Sequence, residues 1–330
     1  MSNKLQNLSQ INSNIDELIK SKVSLAPMAG ITDYVMRSMI RKYSSDALIT
    51  TEMISSEYLA QARESVITKL DETHHPISYQ ISGHKPHLMY SAAKVLTQYA
   101  DMIDINMGCP VNKVVKGQDG CSLMRNPSLA TDILQAVKDG TTKPVSVKFR
   151  LGYTEAEKNY VEFGQQMQSA GADFITIHGR TRSQMYSGTA DWKSIKKLTQ
   201  NIDIPVFANG DIKSVEDAIK CVEDSGANGV AVGRAAMGDP TLISRIEHYF
   251  KTGNILPEPN IAEKIDMLIN HLDSEIALRG ENVGIKFMRK FYPFYISGIQ
   301  NASKVRAVLV REESYNNIIK ILKDFVHQSL

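Results

Sequence analysis

Cysteine is scarce: Cys109, Cys121 and Cys221 are the only thiols in 330 residues. So few cannot build the disulfide framework of a small secreted domain, and none sits in a CxxC pair. Zinc-ligand spacing is missing too, because His74, His75, His84 and His87 fall at loop or helix positions without a third ligand. No metal is expected. No run approaches the ~18 uninterrupted apolar residues of a spanning helix, so no membrane association is expected. The opening MSNKLQNLSQINSNIDELIK is polar and lacks the apolar core of a signal peptide, which makes the cytoplasm the expected location. Strong charge of either sign is also lacking. A formal net charge of +2 says little, since a nucleic-acid ligand needs a local basic face rather than a large sum.

What is present is a rhythm. Eight β-rich runs recur, at Val23–Met28, Ala47–Met53, Ile77–Gly83, Met102–Gly108, Val145–Gly152, Phe174–Arg180, Ile204–Gly210 and Gly229–Arg234. Most are apolar on both faces, as parallel strands covered by helices should be. Helix candidates lie between them, including Lys85–Tyr99, Ser128–Asp139, Glu155–Ala170 and Ser214–Ser225, the last opened by a capping Ser214 with Asp217 three residues on. Eight β-then-α units over about 250 residues predict an α/β fold, the (β/α)8 TIM barrel, with a doubly wound open sheet as the competitor. KTGNILPEPN, rich in Pro, Gly and Asn, predicts a boundary after Phe250. Beyond it, Ile261–Arg279, Gly284–Ile296, Ser303–Val310 and Tyr315–Gln328 have helical spacing. The expected organisation is a barrel over residues 1–250 and a C-terminal all-helical domain over 251–330.

Barrels carry their sites at the C-terminal ends of the strands. Here those ends hold Ala26-Pro27-Met28-Ala29-Gly30, Glu52, Gln80, Asn106 to Pro110, Lys148 with Arg150, His178-Gly179-Arg180, Asn209-Gly210-Asp211 and Gly233-Arg234. A polar side chain or glycine at nearly every strand end describes a pocket. The last two ends suit a phosphate: Gly210 and Gly233 let backbone N–H groups approach, and Arg234 adds a charged donor. The alternative is that these glycines only turn the chain. Lys148 points an ammonium into a barrel, which needs an anionic or electron-rich ligand, or a salt bridge with Glu52 or another strand-end acid. His178, beside two arginines in HGRTR, is either a ligand contact or a satisfied core histidine.

These segments carry a family resemblance. APMAGITD at Ala26–Asp33, TEM at Thr51–Met53, NMGCP at Asn106–Pro110, HGRTRSQMYSGTADW at His178–Trp192, ANGDI and VGRAAMGDP resemble the tRNA-dihydrouridine synthases, most closely the bacterial B-type branch; MRKFYPFY at Met288–Tyr295 does so in the tail. The resemblance implies FMN in the barrel mouth, NADPH as reductant, and uridines of the tRNA D-loop as substrate. Pro27, Met28, Ala29, Gln80, Lys148, His178, Asn209, Gly210, Asp211, Gly233 and Arg234 would contact the flavin. Cys109 matches the family's proton donor, and Asn106 its contact to the base. Cys121 departs from the pattern, which usually has Ser or Ala there, and adds a second thiol to the same loop.

The implied chemistry is hydride transfer from flavin N5 to uracil C6, with a proton from Cys109 to C5. A thiol of ordinary pKa, near ~8.5, is mostly protonated at neutral pH and can act as that acid. Cys109 as a buried small hydrophobe is the alternative. The target base must leave its stack to be reached. Between Arg279 and Arg311 the tail carries Arg279, Lys286, Arg289, Lys290, Lys304, Arg306 and Arg311 against one acid, Glu281, with five aromatics interleaved. That predicts RNA contacts, Arg289 and Lys290 among them, with Arg180 joining Asn106 at the substrate. Most of the aromatics are expected in the core. A monomer is expected. Two competitors remain: a dihydroorotate dehydrogenase-like barrel acting on a free pyrimidine, which has no use for a basic tail, and a tRNA-binding module without catalysis, in which an intact NMGCP and Lys148 would have no role.

Overall fold

The structure, a computed structural model, describes residues 15–61, 74–298 and 300–329, so the polar opening up to residue 14 lies outside it. Its strands are β1 (Val23–Leu25), β2 (Leu48–Thr50), β3 (Ile54–Ser55), β4 (Ile77–Ser82), β5 (Met102–Met107), β6 (Val145–Arg150), β7 (Phe174–His178), β8 (Val206–Asn209) and β9 (Gly229–Val232). All pairings are parallel, β1 sits between β2 and β9, and a β2–β4 pairing closes the ring. Eight strands and their covering helices therefore form the expected (β/α)8 barrel, not an open sheet. β4 and β5 are buried at every position, which is why those runs read as apolar on both faces.

The second barrel strand is interrupted. β2 ends with Thr50 opposite Ser78, and β3 resumes with Ile54 opposite Ile81. Residues 51–53 thus face only 79 and 80, one residue too many, and the edge bulges. Thr51 bridges the gap, donating its N–H to Ser78 O at 3.0 Å and accepting the Gln80 N–H on its hydroxyl at 3.1 Å. The bulge is the TEM segment, and it turns Met53 into the barrel mouth.

Ser214 caps the helix Val215–Ser225 by accepting the Asp217 N–H at 3.1 Å, as its sequence suggests. The stretch read as one helix from Glu155 starts later, at Tyr160, after a short 3-10 turn over Glu155–Glu157.

Gly253, at φ 78°, ends the helix Thr241–Thr252. After the linker, Asn260 and Glu263 form a reciprocal capping box that starts the helix Ile261–Arg279. The stretch expected to be helical from Gly284 to Ile296 is two helices, Glu281–Met288 and Tyr292–Tyr295. Pro293 is the physical reason: it has no N–H to give and crowds the preceding turn, so it fits only the first turn of a new helix. Helices Ala302–Leu309 and Tyr315–Ser329 complete the tail. Leu268, Leu272, Tyr292 and Phe325 share one apolar cluster with barrel residues such as Met36 and Ile243. The contact is close. Gly238 lies against the tail backbone, where an added Cβ would sit 2.3 Å from Phe294 O.

Candidate active site

A cavity of about 850 Å³ opens at the C-terminal ends of the strands. Pro27, Met28 and Ala29 line it after β1, Gln80 from β4, and Asn106 and Cys109 from β5 and its loop. Lys148 and Arg150 enter from β6, His178 and Arg180 from β7, Asn209, Gly210 and Asp211 from β8, and Gly233 and Arg234 from β9. Register explains the grouping. Asn106 pairs with Lys148, while Arg150, His178 and Asn209 follow one another across β6, β7 and β8. Arg289 and Lys290 do not line this cavity.

Among the described residues, Lys148 forms no ion pair with an acid. Its ammonium donates to Asn209 Oδ1 at 3.1 Å, and Glu52 is engaged elsewhere, accepting the Gly30 N–H at 2.5 Å. Asn209 is held in turn by donating to Ala231 O at 2.7 Å. Burial, then the charge of Arg150, pulls the Lys148 pKa down to about 8. His178 is buried, and burial together with Arg150 and Lys148 holds its pKa well below the usual value, so the ring is neutral at pH 7. Arg180 Nη1 lies 3.3 Å from His178 Nε2. Because the guanidinium can only donate, Nε2 is the acceptor and the proton sits on Nδ1.

Cys109 is half-buried, whereas Cys121 and Cys221 are buried. Burial raises the Cys109 pKa, opposed by the Val111 N–H and the charges of Arg150 and Lys148. It is a thiol at neutral pH. The loop around it is tied down: Asn106 Oδ1 accepts the N–H of Gly108 at 3.2 Å and of Cys109 at 2.9 Å, and the Cys121 N–H donates to Cys109 O at 3.1 Å. Cys121 itself packs near Met124 Sδ, and burial pushes its pKa up to about 12. It is an inert packing thiol.

The last two strand ends are built for close approach. Gly210, at φ 116°, leaves no room for a side chain, since a Cβ would sit 2.8 Å from His178 Cδ2. Asp211 accepts from Arg180 Nη2 at 2.6 Å and from the Ala190 N–H at 2.8 Å, with Arg234 Nη2 3.6 Å away. Burial pushes its carboxyl up, but these donors and charges outweigh that and leave it below the usual range. Arg180 also donates to Ser187 O at 3.1 Å and Gly188 O at 2.7 Å, so its guanidinium holds the HGRTR loop closed. Arg234 remains half-exposed beside Tyr186, its guanidinium carbon 5.0 Å from the ring centroid.

Arg150 is the residue to which sequence reading assigned no role. It donates to Gly108 O at 2.9 Å, Thr181 O at 3.0 Å and Met185 O at 2.9 Å, joining the Cys109 loop to the loop after β7. Its place at the end of VSVKFR was the one signal available. Tyr186 and the tail residue Phe294 also line the cavity; they lie in the segments HGRTRSQMYSGTADW and MRKFYPFY, but neither was assigned to the site.

Several tail cations are engaged with the protein itself. Arg279 binds Asp33 at 2.5 Å and Glu275 at 2.5 Å and stacks on Phe287 at 3.9 Å. Lys290 donates to Gly30 O and lies 3.2 Å from the Phe287 centroid. Arg289 reaches Glu313 at 3.5 Å, and Arg306 donates to Ile296 O at 2.6 Å. Lys286, Lys304 and Arg311 are exposed. Phe291, Tyr292 and Tyr295 are buried, and Phe287 and Phe294 pack against the same cluster. Among the described residues no group of three or more His, Cys, Asp or Glu is placed to hold a metal ion, and no helix is long and apolar enough to cross a membrane.

The family model described as Dihydrouridine synthase matches residues 24–327. A probable tRNA-dihydrouridine synthase 1 of Synechocystis sp. is 40% identical over 314 residues, covering 94% of this chain and 87% of the relative. The tRNA-dihydrouridine synthase B of Shewanella oneidensis is 39% identical, with 84% of this chain and 87% of the relative covered. That of Pseudomonas putida is 37% identical over 88% and 86%. Among solved structures, morphinone reductase in complex with tetrahydroNAD aligns with a TM-score of 0.51 at 13% identity, covering 74% of this chain and 90% of the other. That last likeness is one of fold.

Proposed function

The chain belongs to the dihydrouridine synthase family, and from that premise we propose an FMN-dependent tRNA-dihydrouridine synthase that takes its electrons from NADPH and reduces the C5=C6 bond of uridines in the D-loop of tRNA. One observation carries the reading. A single cavity holds both an ammonium, Lys148, with one amide oxygen as its hydrogen-bond partner, and a protonated thiol, Cys109.

The residues fit FMN. The cavity is of the size that takes a cofactor. Gly233 leaves space in it, since an added Cβ would meet nothing closer than Met28 Sδ at 3.7 Å. Arg234 and the N–H groups after Gly210 and Gly233 form the donor set for a phosphate at the usual barrel position. Pro27, Met28, Ala29, Gln80, Asn209 and Asp211 complete the wall, and Lys148 would neutralise the negative charge of a reduced ring, with neutral His178 beside it.

Held by these residues, reduced FMN would supply the hydride for C6 of the uracil. The protein's own task is the proton. Cys109 Sγ–H donates to C5, and the thiolate left behind lies in the field of Arg150 and Lys148, both of which favour it. Asn106 holds the base, and Arg180 keeps the loop beside it closed. The helical tail, residues 251–330, engages the RNA through phosphate contacts in which Arg289 and Lys290 take part, so that the target uridine can swing out of its stack. The protein acts as a cytoplasmic monomer.

The test is Cys109→Ala. It should purify yellow, with FMN bound, and lose most tRNA reduction. Turnover equal to the unchanged protein removes Cys109 from the mechanism, and a colourless wild-type protein that cannot take up FMN removes the whole reading.

A further inference from the structure

Beneath the cavity lies a polar pair, Asp104 and Ser146, that the proposed chemistry does not use. Asp104 of β5 is buried inside the barrel. Its Oδ1 accepts from Ser146 Oγ at 2.6 Å, and its Oδ2 accepts from Gln80 Nε2 at 2.6 Å. Gln80 Oε1 accepts from Asn106 Nδ2 at 2.8 Å. Asn106 Oδ1 then accepts the N–H groups of Gly108 and Cys109. The four residues form one chain of hydrogen bonds from the barrel interior to the backbone of the thiol.

Such a chain has a direction. A side-chain amide can present either end to a neighbour, and its two ends are nearly the same size, so sterics alone do not choose. Burial pushes the Asp104 pKa up to about 6, so at neutral pH the group is ionised, and an ionised carboxylate only accepts. With Asp104 at the origin, Gln80 must turn its NH2 inward and its oxygen towards Asn106. Asn106 must then turn its NH2 to Gln80 and its oxygen to the Cys109 loop. Had either amide turned over, two N–H groups or two oxygens would face each other.

We propose that Asp104 is a positioning residue: through Gln80 its carboxylate sets which way the Asn106 amide faces, and thereby holds the Cys109 loop in place. The orientation also leaves the second N–H of Asn106 as a donor for a carbonyl of the base. The consequence for catalysis rests on Cys109 being the proton donor proposed above; the consequence for the loop does not.

The test reads the loop directly. Cys109 is half-buried and the other two thiols are buried, so iodoacetamide reports on Cys109 in the native protein. Its alkylation rate followed against pH gives a thiolate pKa and a limiting rate at high pH. Ser146→Ala leaves Asp104 acceptor-only and should leave the limiting rate unchanged. Adding Asp104→Asn gives residue 104 an NH2 whose remaining acceptor in this chain is Gln80 Oε1. That reverses both amides and removes the acceptor for Gly108 and Cys109. One to two hydrogen bonds of ordinary strength are lost, and the limiting rate should rise about tenfold. Adding Gln80→Glu then places an acceptor-only group in the middle of the chain, restores the Asn106 orientation, and should bring the rate back to within about twofold. A pure charge effect behaves differently, moving the thiolate pKa while the limiting rate stays put. The proposal is overturned by a rise in Ser146→Ala alone, by no rise on adding Asp104→Asn, or by no recovery with Gln80→Glu. The measurement needs neither FMN nor tRNA. Failure of Cys109→Ala to lose activity would therefore sink the proton-donor reading and leave this result standing.

Discussion

Replacing Arg279 by Met should loosen the joint between tail and barrel, and the structure supplies the size of the effect. Glu275, one helical turn before it, is fully buried, and Arg279 Nε reaches its Oε2 at 2.5 Å. Its other oxygen has His271 Nε2 at 3.8 Å, and that histidine is buried and bound to Tyr295. The same guanidinium holds Asp33, which caps the helix Tyr34–Arg41 by accepting the Met36 N–H at 3.1 Å. Burial and the neighbouring Glu275 charge push the Asp33 carboxyl up, whereas Glu275 stays low despite burial because His271 faces it and Arg279 donates to it. Removing the cation strands a buried carboxylate, which costs about 3–5 kcal/mol. Thermal unfolding followed by near-UV circular dichroism should move down by about 4–7 °C for a chain of 330 residues. Glu275→Gln added to Arg279→Met removes the stranded charge and should recover more than half of the loss. Asp33 closes the APMAGITD loop whose earlier residues line the cavity, so FMN affinity should fall with stability in the single variant and return with it in the double. A single variant that loses less than about 1 kcal/mol, or a double variant no better than the single, refutes the reasoning.

Lys148 holds its proton more weakly in the fold, at about 8 against an ordinary 10.5, so between those pH values the unfolded chain binds the extra proton. Stability of flavin-free protein should therefore climb with pH through that window, and Lys148→Met should flatten the climb in chemical denaturation; identical slopes would contradict the shift. Gly210→Ala puts a Cβ against His178 at a left-handed backbone position, so bound FMN, read by absorbance after gel filtration, should drop at least tenfold. Among the basic residues from Arg279 to Arg311, Lys286, Lys304 and Arg311 are the exposed ones. If they make about three phosphate contacts, tRNA affinity should weaken on the order of 30-fold between 50 and 200 mM salt, and their triple replacement by Ala should flatten that slope. A salt-independent affinity measured by filter binding would exclude the basic face.

The barrel was legible because its physics is local. A parallel strand covered on both faces is largely apolar, so each of the eight runs announced itself within six or so residues; every strand falls inside its run except β3, Ile54–Ser55, which lies just past the end of Ala47–Met53. The cavity was legible for a related reason: every barrel opens where its strands end, and the polar residues and glycines there could be read off one strand at a time. Pro293 carried an equally local signal, and reading through it joined two helices into one.

What could not be read is pairing across distance. Arg279 and Asp33 lie 246 residues apart, and nothing in either segment names the other. The tail cations looked like a uniform basic face because their composition is uniform. Folding divides them: Arg279 and Lys290 are drawn onto the β1 loop, while Lys304 and Arg311 stay in water. Asp104 is the sharper case. In DINMGCP it reads as one polar residue in an apolar strand, and an isolated buried acid would be a defect. Only the register that sets Gln80 opposite Asp104, and Asn106 opposite Lys148, turns it into the origin of a directed chain ending at the thiol. A buried charge is costly in a barrel core. It is tolerable here because both of its oxygens are satisfied by donors, one of which, Gln80, leads to the cavity wall, and the cost is matched to a geometry that an uncharged residue at 104 could not impose.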